Sequence, residues 1–302
     1  DSGNNFLKNI YNDHQIFHFM NLKSHILKNS YLTILVILFL VILASAPKIN
    51  GSSPKRIISL SPSITEILFE IGSGNQVIAV DNLSNYPNEA PISDISAYDP
   101  NVEAISLFNP DLVILSYNIK NLNTALKKIG IETIYLPAPL NFEDILDQID
   151  YLGLKTGNED KAKNLISKMK VRMKTLQKLR ENEKATKIYH EIDPNYYSPS
   201  KFSFIGDIYQ KLNYKNVANK ADISNLGYPK LSPELIISEN PDLIILPGKD
   251  KKYVEKVKSR PGWNYIKAVK NDDFLLTNSD IASRWGPRIL NFASILIEYS
   301  IK

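Results

Sequence analysis

The chain has 302 residues, enough for two domains of ordinary size, and 43% hydrophobic with 23% charged residues is the composition of a folded globular protein. It has no cysteine, which excludes disulfides, thiolate metal sites, cysteine nucleophiles and anchoring through a lipid-modified cysteine. Net charge is +4, half of it from residues 1–53, so there is no basic block of the kind a nucleic-acid-binding face needs.

Residues 31–46 read YLTILVILFLVILASA, an uncharged apolar run preceded by Lys23, His25 and Lys28 and closed by Ala44-Ser45-Ala46. A basic flank, a short apolar stretch and small residues describe a secretory signal peptide. Pro47 directly after Ala46 is unfavourable for cleavage, which leaves an uncleaved membrane anchor as the other reading of the same run. Met20 is the expected start, with residues 1–19 an upstream extension. On either reading residues 54–302 are exported, to the periplasm or the outer face of the cytoplasmic membrane.

From residue 54 the pattern is α/β. RIISL (56–60) is a buried parallel strand by its β-branched apolar run. SPSITEILFEIG follows as a helix, with Ser63 and Glu66 at capping-box spacing and Gly72 at its end. QVIAV, DLVIL and ETIYL are further strands, and LNTALKKIG is a helix closed by Gly130. Short loops between alternating strands and helices imply a parallel, doubly wound sheet.

Residues 157–185 contain no proline, and Ala162, Leu165, Ile166, Met169, Met173, Leu176 and Leu179 recur at helical spacing. This reads as one helix of about 25 residues, N-capped by Asn158, joining two lobes as a rigid strut. KIYHEI, DLIIL and FLLTN are the strands of a second half, with FIGDIYQKL, PELIISEN and a C-terminal helix from Gly286 packed around them. The expected architecture is therefore two doubly wound, Rossmann-like lobes at 54–156 and 186–302, joined by the helix at 157–185, after an N-terminal segment at 1–53.

One phrase is written twice. Residues 108–115 read FNPDLVIL and residues 239–246 read ENPDLIIL, with Glu103 and Glu234 each six positions before the asparagine. Asn-Pro-Asp is turn chemistry that ends a helix and starts a strand. The two glutamates fall in first helical turns, where an acidic side chain also favours the helix dipole.

Four stretches in order carry a resemblance: RIISLSPSITEILFEIGSGNQVIAVD, PNVEAISLFNPDLVIL, LSPELIISENPDLIIL and RPGWNYIKAVKNDDFLLTNSDIASRWGPRIL. Over residues 55–302 the chain resembles the class III substrate-binding proteins of ABC importers, which handle vitamin B12, ferric siderophores and haem, and it looks most similar to the cobalamin-binding members. The resemblance implies a ligand cleft between the lobes. Its implied partners are a permease dimer with ATPase subunits, reached through Glu103 and Glu234, and membrane association runs through that permease or the uncleaved segment.

In doubly wound lobes the ligand side is the carboxyl ends of the strands. Those loops hold Ser61, Tyr86, Tyr98 and Tyr117 in the first lobe, and Tyr196, Tyr197, Phe202, Tyr228 and Trp285 in the second. Tyrosine offers broad apolar faces with polar tips, as a flat macrocycle requires. Asp280 and Arg284 stand four apart, and in cobalamin-type relatives such a pair reaches the ligand; a salt bridge between the two that pins the loop is the other reading, and the two are compatible.

His190 is the one histidine after the apolar run, which disfavours divalent-metal capture, and no metal or cofactor is expected to reside in the protein. Tyr98 is an axial ligand only if the chelate is haem. Cobalamin is nearly neutral and fits best, with haem or a ferric siderophore as alternatives. An exported hydrolase finds no G-x-S-x-G elbow, so a non-enzymatic receptor is the expectation.

Overall fold

A computed structural model describes residues 53–119, 121–248 and 250–300; the apolar run, Pro47 and Met20 lie outside the described residues. The first lobe runs β1 (Ile57–Leu60), α1 (Pro62–Glu70), β2 (Val77–Val80), α2 (Val102–Leu107), β3 (Leu112–Leu115), α3 (Leu122–Lys128), β4 (Glu132–Tyr135) and α4 (Phe142–Thr156). Helix α5 (Glu159–Arg180) leads to β5 (Thr186–His190), α6 (Phe204–Lys211), β6 (Tyr214–Asn216), α7 (Pro233–Glu239), β7 (Leu243–Pro247), α8 (Lys251–Lys258), α9 (Lys267–Asn271), β8 (Phe274–Thr277), α10 (Ser279–Ser283) and α11 (Ile289–Ser300). Among the described residues there is no helix long and apolar enough to cross a membrane.

The two sheets are copies of one plan. Their strand orders are β2-β1-β3-β4 and β6-β5-β7-β8, with every pair parallel. Ile57 pairs with Leu112 in the first, and Ile188 with Leu243 in the second. The register is thus the same in both lobes, and the spacing in sequence is the spacing between the two glutamates.

The duplicated phrase builds the same joint twice. Asn109 and Asn240 take left-handed backbone at φ 47 and 48, which asparagine tolerates and which ends each helix. The aspartate that follows does more than form a turn. Asp111 Oδ2 accepts from the Lys55 and Arg56 amides at 2.9 and 3.0 Å, and Asp242 Oδ2 accepts from the Lys187 amide at 2.8 Å. Arg56 Nη2 donates to the Phe108 carbonyl at 2.6 Å, and Lys187 Nζ to the Glu239 carbonyl at 2.6 Å. Each aspartate therefore ties the first strand of its lobe to the third, while a basic side chain covers the orphan carbonyls of the preceding helix.

The strut is not a lone connection. Helix α5 has 22 residues, about 33 Å of helix. It lies along α4, where a Cβ on Gly153 would stand 2.4 Å from the Cβ of Ala162. Helix α11 covers another side, with Arg172 donating to Asn291 Oδ1 at 2.7 Å and Ser294 Oγ at 2.9 Å. At its start α4 reaches the second lobe, where the Phe142 amide donates to Asp207 Oδ2 at 2.9 Å. One apolar cluster accordingly joins Ile57, Ile64 and Leu68 to Ile208, Phe292 and Leu296.

Three local expectations are corrected. Ser63 and Glu66 form no capping box: Ser61 is the N-cap of α1, without a side-chain cap bond, and Glu66 bonds elsewhere. Asn158 holds the N-cap position of α5 but donates to Ser73 Oγ at 2.9 Å instead of accepting from the helix. Residues 279–283, read as loop, are helix α10.

Candidate functional site

The carboxyl ends of both sheets frame a cavity of about 510 Å³. Tyr117 and Ala138 come from the first lobe. His190, Ile192, Asp193, Tyr197, Phe204, Ile205, Tyr228, Pro247, Thr277, Ser283 and Trp285 are among the residues of the second. The wall is mainly aromatic and aliphatic with hydroxyl tips, and no lysine or arginine lines it among the described residues.

Helix α6 positions much of this wall. Ser203 caps it by accepting from the Gly206 amide at 3.2 Å, and a Cβ at Gly206 would come 1.8 Å from the Ser200 carbonyl oxygen. Phe204 meets Trp285 edge-on at 6.1 Å between ring centroids. Trp285 is buried, donating Nε1–H to Gln148 Oε1 at 3.1 Å, so it presents a fixed edge to the cavity. Burial pushes the Tyr228 phenol up to about 12, against the hydrogen bond with Ser203, which lowers it. Its ring is thus a neutral hydroxyl donor at physiological pH.

Tyr117, Tyr197, Tyr228 and Trp285 therefore meet in the cavity wall. Tyr98 extends that wall outward: it is 65% exposed and its ring centroid lies 5.2 Å from that of Tyr117. Tyr196 turns the other way, packing on Trp263 in the second lobe's own core. Phe202 lies under Lys201, 4.9 Å from Nζ, and is not part of the wall.

Three further expected ligand residues, Tyr86, Asp280 and Arg284, belong to a different structure. Arg284 Nη1 bonds Glu66 Oε1 at 3.1 Å, and its Nη2 reaches the Leu83 carbonyl at 3.2 Å and Asp280 Oδ1 at 3.1 Å. Arg288 bonds both oxygens of Glu66, its Nε at 2.8 Å from Oε2, and stacks over Tyr86 at 3.8 Å. Asp280, Arg284 and Tyr86 thus sit in a latch between the lobes, with both terminal nitrogens of Arg284 engaged by protein partners. Glu66, 4% exposed, is its hub, and the capping-box reading concealed that role.

His190 lines the cavity from the end of β5. Its Nδ1 is 2.8 Å from the Tyr209 hydroxyl, and its ring stacks on Phe292 at 6.1 Å. Burial pushes its pKa down to about 4, so the imidazole is neutral. Among the described residues no group of three His, Asp or Glu side chains is placed to hold a metal ion.

Glu103 and Glu234 lie away from this wall, exposed in the first turns of α2 and α7. Asn101 and Ser232 cap those helices through the Ala104 and Leu235 amides, both at 3.1 Å. Neither glutamate carboxylate has a hydrogen bond or ion pair among the described residues.

Ser61 and Ser116 stand at the carboxyl ends of β1 and β3, buried and without a partner for either hydroxyl. Ser116 directly precedes Tyr117 in the loop that follows β3.

Comparison with known proteins matches residues 57–281 to the family model described as periplasmic binding protein. The uncharacterized ABC transporter substrate-binding lipoprotein YvrC of Bacillus subtilis is 31% identical over 256 residues, covering 81% of this chain and 79% of that protein. A vitamin B12-binding protein of Vibrio parahaemolyticus is 27% identical over 263 residues, covering 85% and 93%. The crystal structure of a possible iron-binding (periplasmic solute-binding) protein from Staphylococcus epidermidis superposes with a TM-score of 0.73 at 30% identity, over 83% of this chain and all of that one.

Proposed function

The chain belongs to the periplasmic binding protein family of ABC-transporter substrate-binding components, and from that premise we propose that it is an exported receptor that binds cobalamin or a related corrinoid between its lobes and delivers it to a permease. The observation that carries the ligand class is the cavity wall: tyrosine, tryptophan and aliphatic side chains with hydroxyl tips, a single carboxylate at Asp193 and no cationic side chain among the described residues. Such a wall suits a broad, nearly neutral chelate better than an anionic siderophore, which calls for cationic partners. The relative from Vibrio parahaemolyticus, named a vitamin B12-binding protein, supports the same reading.

The ligand contacts we assign are Tyr117, Tyr197, Tyr228 and Trp285 in the wall, Tyr98 at its rim, and Ser61 at the sheet edge. Asp280, Arg284 and Tyr86 act by holding the lobes in place. Glu103 and Glu234, free carboxylates at equivalent points of two equivalent lobes, suit paired arginines on a two-fold permease. No catalytic role is assigned: His190 is buried, neutral and engaged by Tyr209.

Titration of the purified protein with cyanocobalamin, haemin and a ferric siderophore, followed by calorimetry and visible spectra, tests the reading. Saturable binding of cyanocobalamin is expected, and binding of none of the three would end it. The exposed Tyr98 phenol favours haem as the second reading. Haemin binding lost in Tyr98→Ala, without cobalamin binding, would select it.

A further inference from the structure

We propose that the carboxyl edge of the first sheet is a subsite for a neutral acceptor: the Ser61 and Ser116 hydroxyls hold a carboxamide arm of the ligand, and Asp81 disfavours a carboxylate in its place. The proposal rests on the receptor reading and narrows its substrate class.

Strands β1 and β3 are in register through Leu60 and Leu115, so Ser61 and Ser116 are neighbours at the sheet edge. Ser61 keeps extended backbone at φ −164 and ψ 125, which continues the line of β1. Side chains at paired positions of adjacent parallel strands point to the same face, about 4.8 Å apart. Ser61 is 1% exposed and Ser116 6%, and neither hydroxyl has a hydrogen-bond partner.

Neighbouring hydroxyls make the contrast. Thr65 Oγ1 lies 2.9 Å from Ser59 Oγ and 3.2 Å from Ser84 Oγ, and Ser84 Oγ donates to Asp81 Oδ2 at 2.7 Å. The edge is thus polar and largely satisfied, apart from two adjacent donors. Ser61 is also the N-cap of the nine-residue α1 and its hydroxyl makes no cap bond. Unpaired buried donors of this kind are complementary to an acceptor brought by a ligand. Tyr117, next after Ser116, carries the edge into the cavity wall.

A helix N-terminus alone would welcome an anion. Asp81 reverses that preference. It follows β2, is fully buried, and accepts from the Leu83 amide at 2.8 Å as well as from Ser84. Its charge also reaches the Tyr117 phenol, which burial first, then Tyr98 and Asp81, push up to about 12. No cation lines the cavity among the described residues to offset a second carboxylate.

The test is calorimetry at pH 7 with cyanocobalamin and with its monocarboxylates, in which one carboxamide has been hydrolysed. At least one monocarboxylate isomer is expected to bind about tenfold more weakly than the parent, and Asp81→Asn to narrow that gap. Ser61→Ala with Ser116→Ala should weaken cyanocobalamin about tenfold or more while leaving the melting temperature unchanged or higher, because the hydroxyls are unpaired in the protein. A lower melting temperature with unchanged affinity would show a structural role and overturn the proposal. Equal affinity for the parent and every monocarboxylate would also overturn it. Haemin binding without cyanocobalamin binding would sink this proposal and leave the receptor reading standing; binding of neither, nor of a siderophore, would sink both.

Discussion

Glu66 and Arg284, 218 residues apart, meet with Nη1 3.1 Å from Oε1 and so join α1 of the first lobe to the end of α10 in the second. Arg288 shares the same carboxylate. A carboxylate this buried is stable only with its partners present, and removing it leaves two guanidiniums facing each other. Glu66→Gln is expected to lower stability by about 3 kcal/mol or more in urea denaturation. It should also loosen the lobes, seen as a larger radius of gyration in small-angle scattering. An unchanged unfolding midpoint would show that the latch contributes no net stability.

The permease side makes a separate prediction. Glu103→Ala with Glu234→Ala should abolish uptake of the ligand into cells while the dissociation constant stays as in wild type. The loss in stability should stay within about 1 kcal/mol per site, since each glutamate contributes only its helix-dipole term. A fall in ligand affinity would place the glutamates at the cleft instead of the permease.

Acid should destabilise the protein through His190. Burial holds its folded pKa at about 4, below the ordinary imidazole value of about 6.5, so between those values the unfolded chain binds a proton that the folded chain does not. Its contribution is therefore full above pH 6.5 and is lost as pH falls towards 4, by on the order of 3 kcal/mol. The difference in stability between wild type and His190→Gln, followed by urea denaturation from pH 7 to pH 5, should shrink as pH falls. A difference that stays constant would show that His190 does not titrate in this window.

The aspartates of the repeated phrase should act alike at the strand joint, with Asp242 also pairing with Lys267 at 2.7 Å. Asp111→Ala and Asp242→Ala each remove an acceptor from a strand-leading amide, at about 1–3 kcal/mol. Hydrogen exchange should accelerate at Lys55 and Arg56 in the first variant and at Lys187 in the second. Acceleration at neither place would mean that the turn alone holds the joint.

Close packing of α4 on α5 can be tested by a double-mutant cycle. Gly153→Ala inserts a methyl 2.4 Å from Ala162 Cβ and should cost about 1–3 kcal/mol. Adding Ala162→Gly should recover part of it. Independent, additive losses would show that the two helices adjust without strain.

Strand and helix content was readable because buried parallel strands are written as short apolar runs, and IISL, LVIL and LIIL are unambiguous. The two-lobe plan was readable because the duplicated phrase carries its own register. Helix α4 was legible in principle, from Asn141 as a cap and Ile145, Leu146, Ile149 and Leu152 at helical spacing, but was not identified. The tyrosines of the wall were found because strand-end loops converge in this topology. Tyr196 was misassigned because neighbouring loop residues can face opposite ways.

By itself the sequence determined what depends on neighbours along the chain: strand and helix runs, the turns at Asn109 and Asn240, the repeat, and the exposed first-turn glutamates. Only the tertiary structure decided which of two partners a polar side chain takes. Glu66 could cap α1 or meet Arg284 and Arg288, and Arg284 takes Glu66 in addition to the Asp280 that its spacing offers. Such choices turn on burial and on groups hundreds of residues away, because a desolvated charge takes the partner that best offsets its lost hydration, and local spacing does not record that partner.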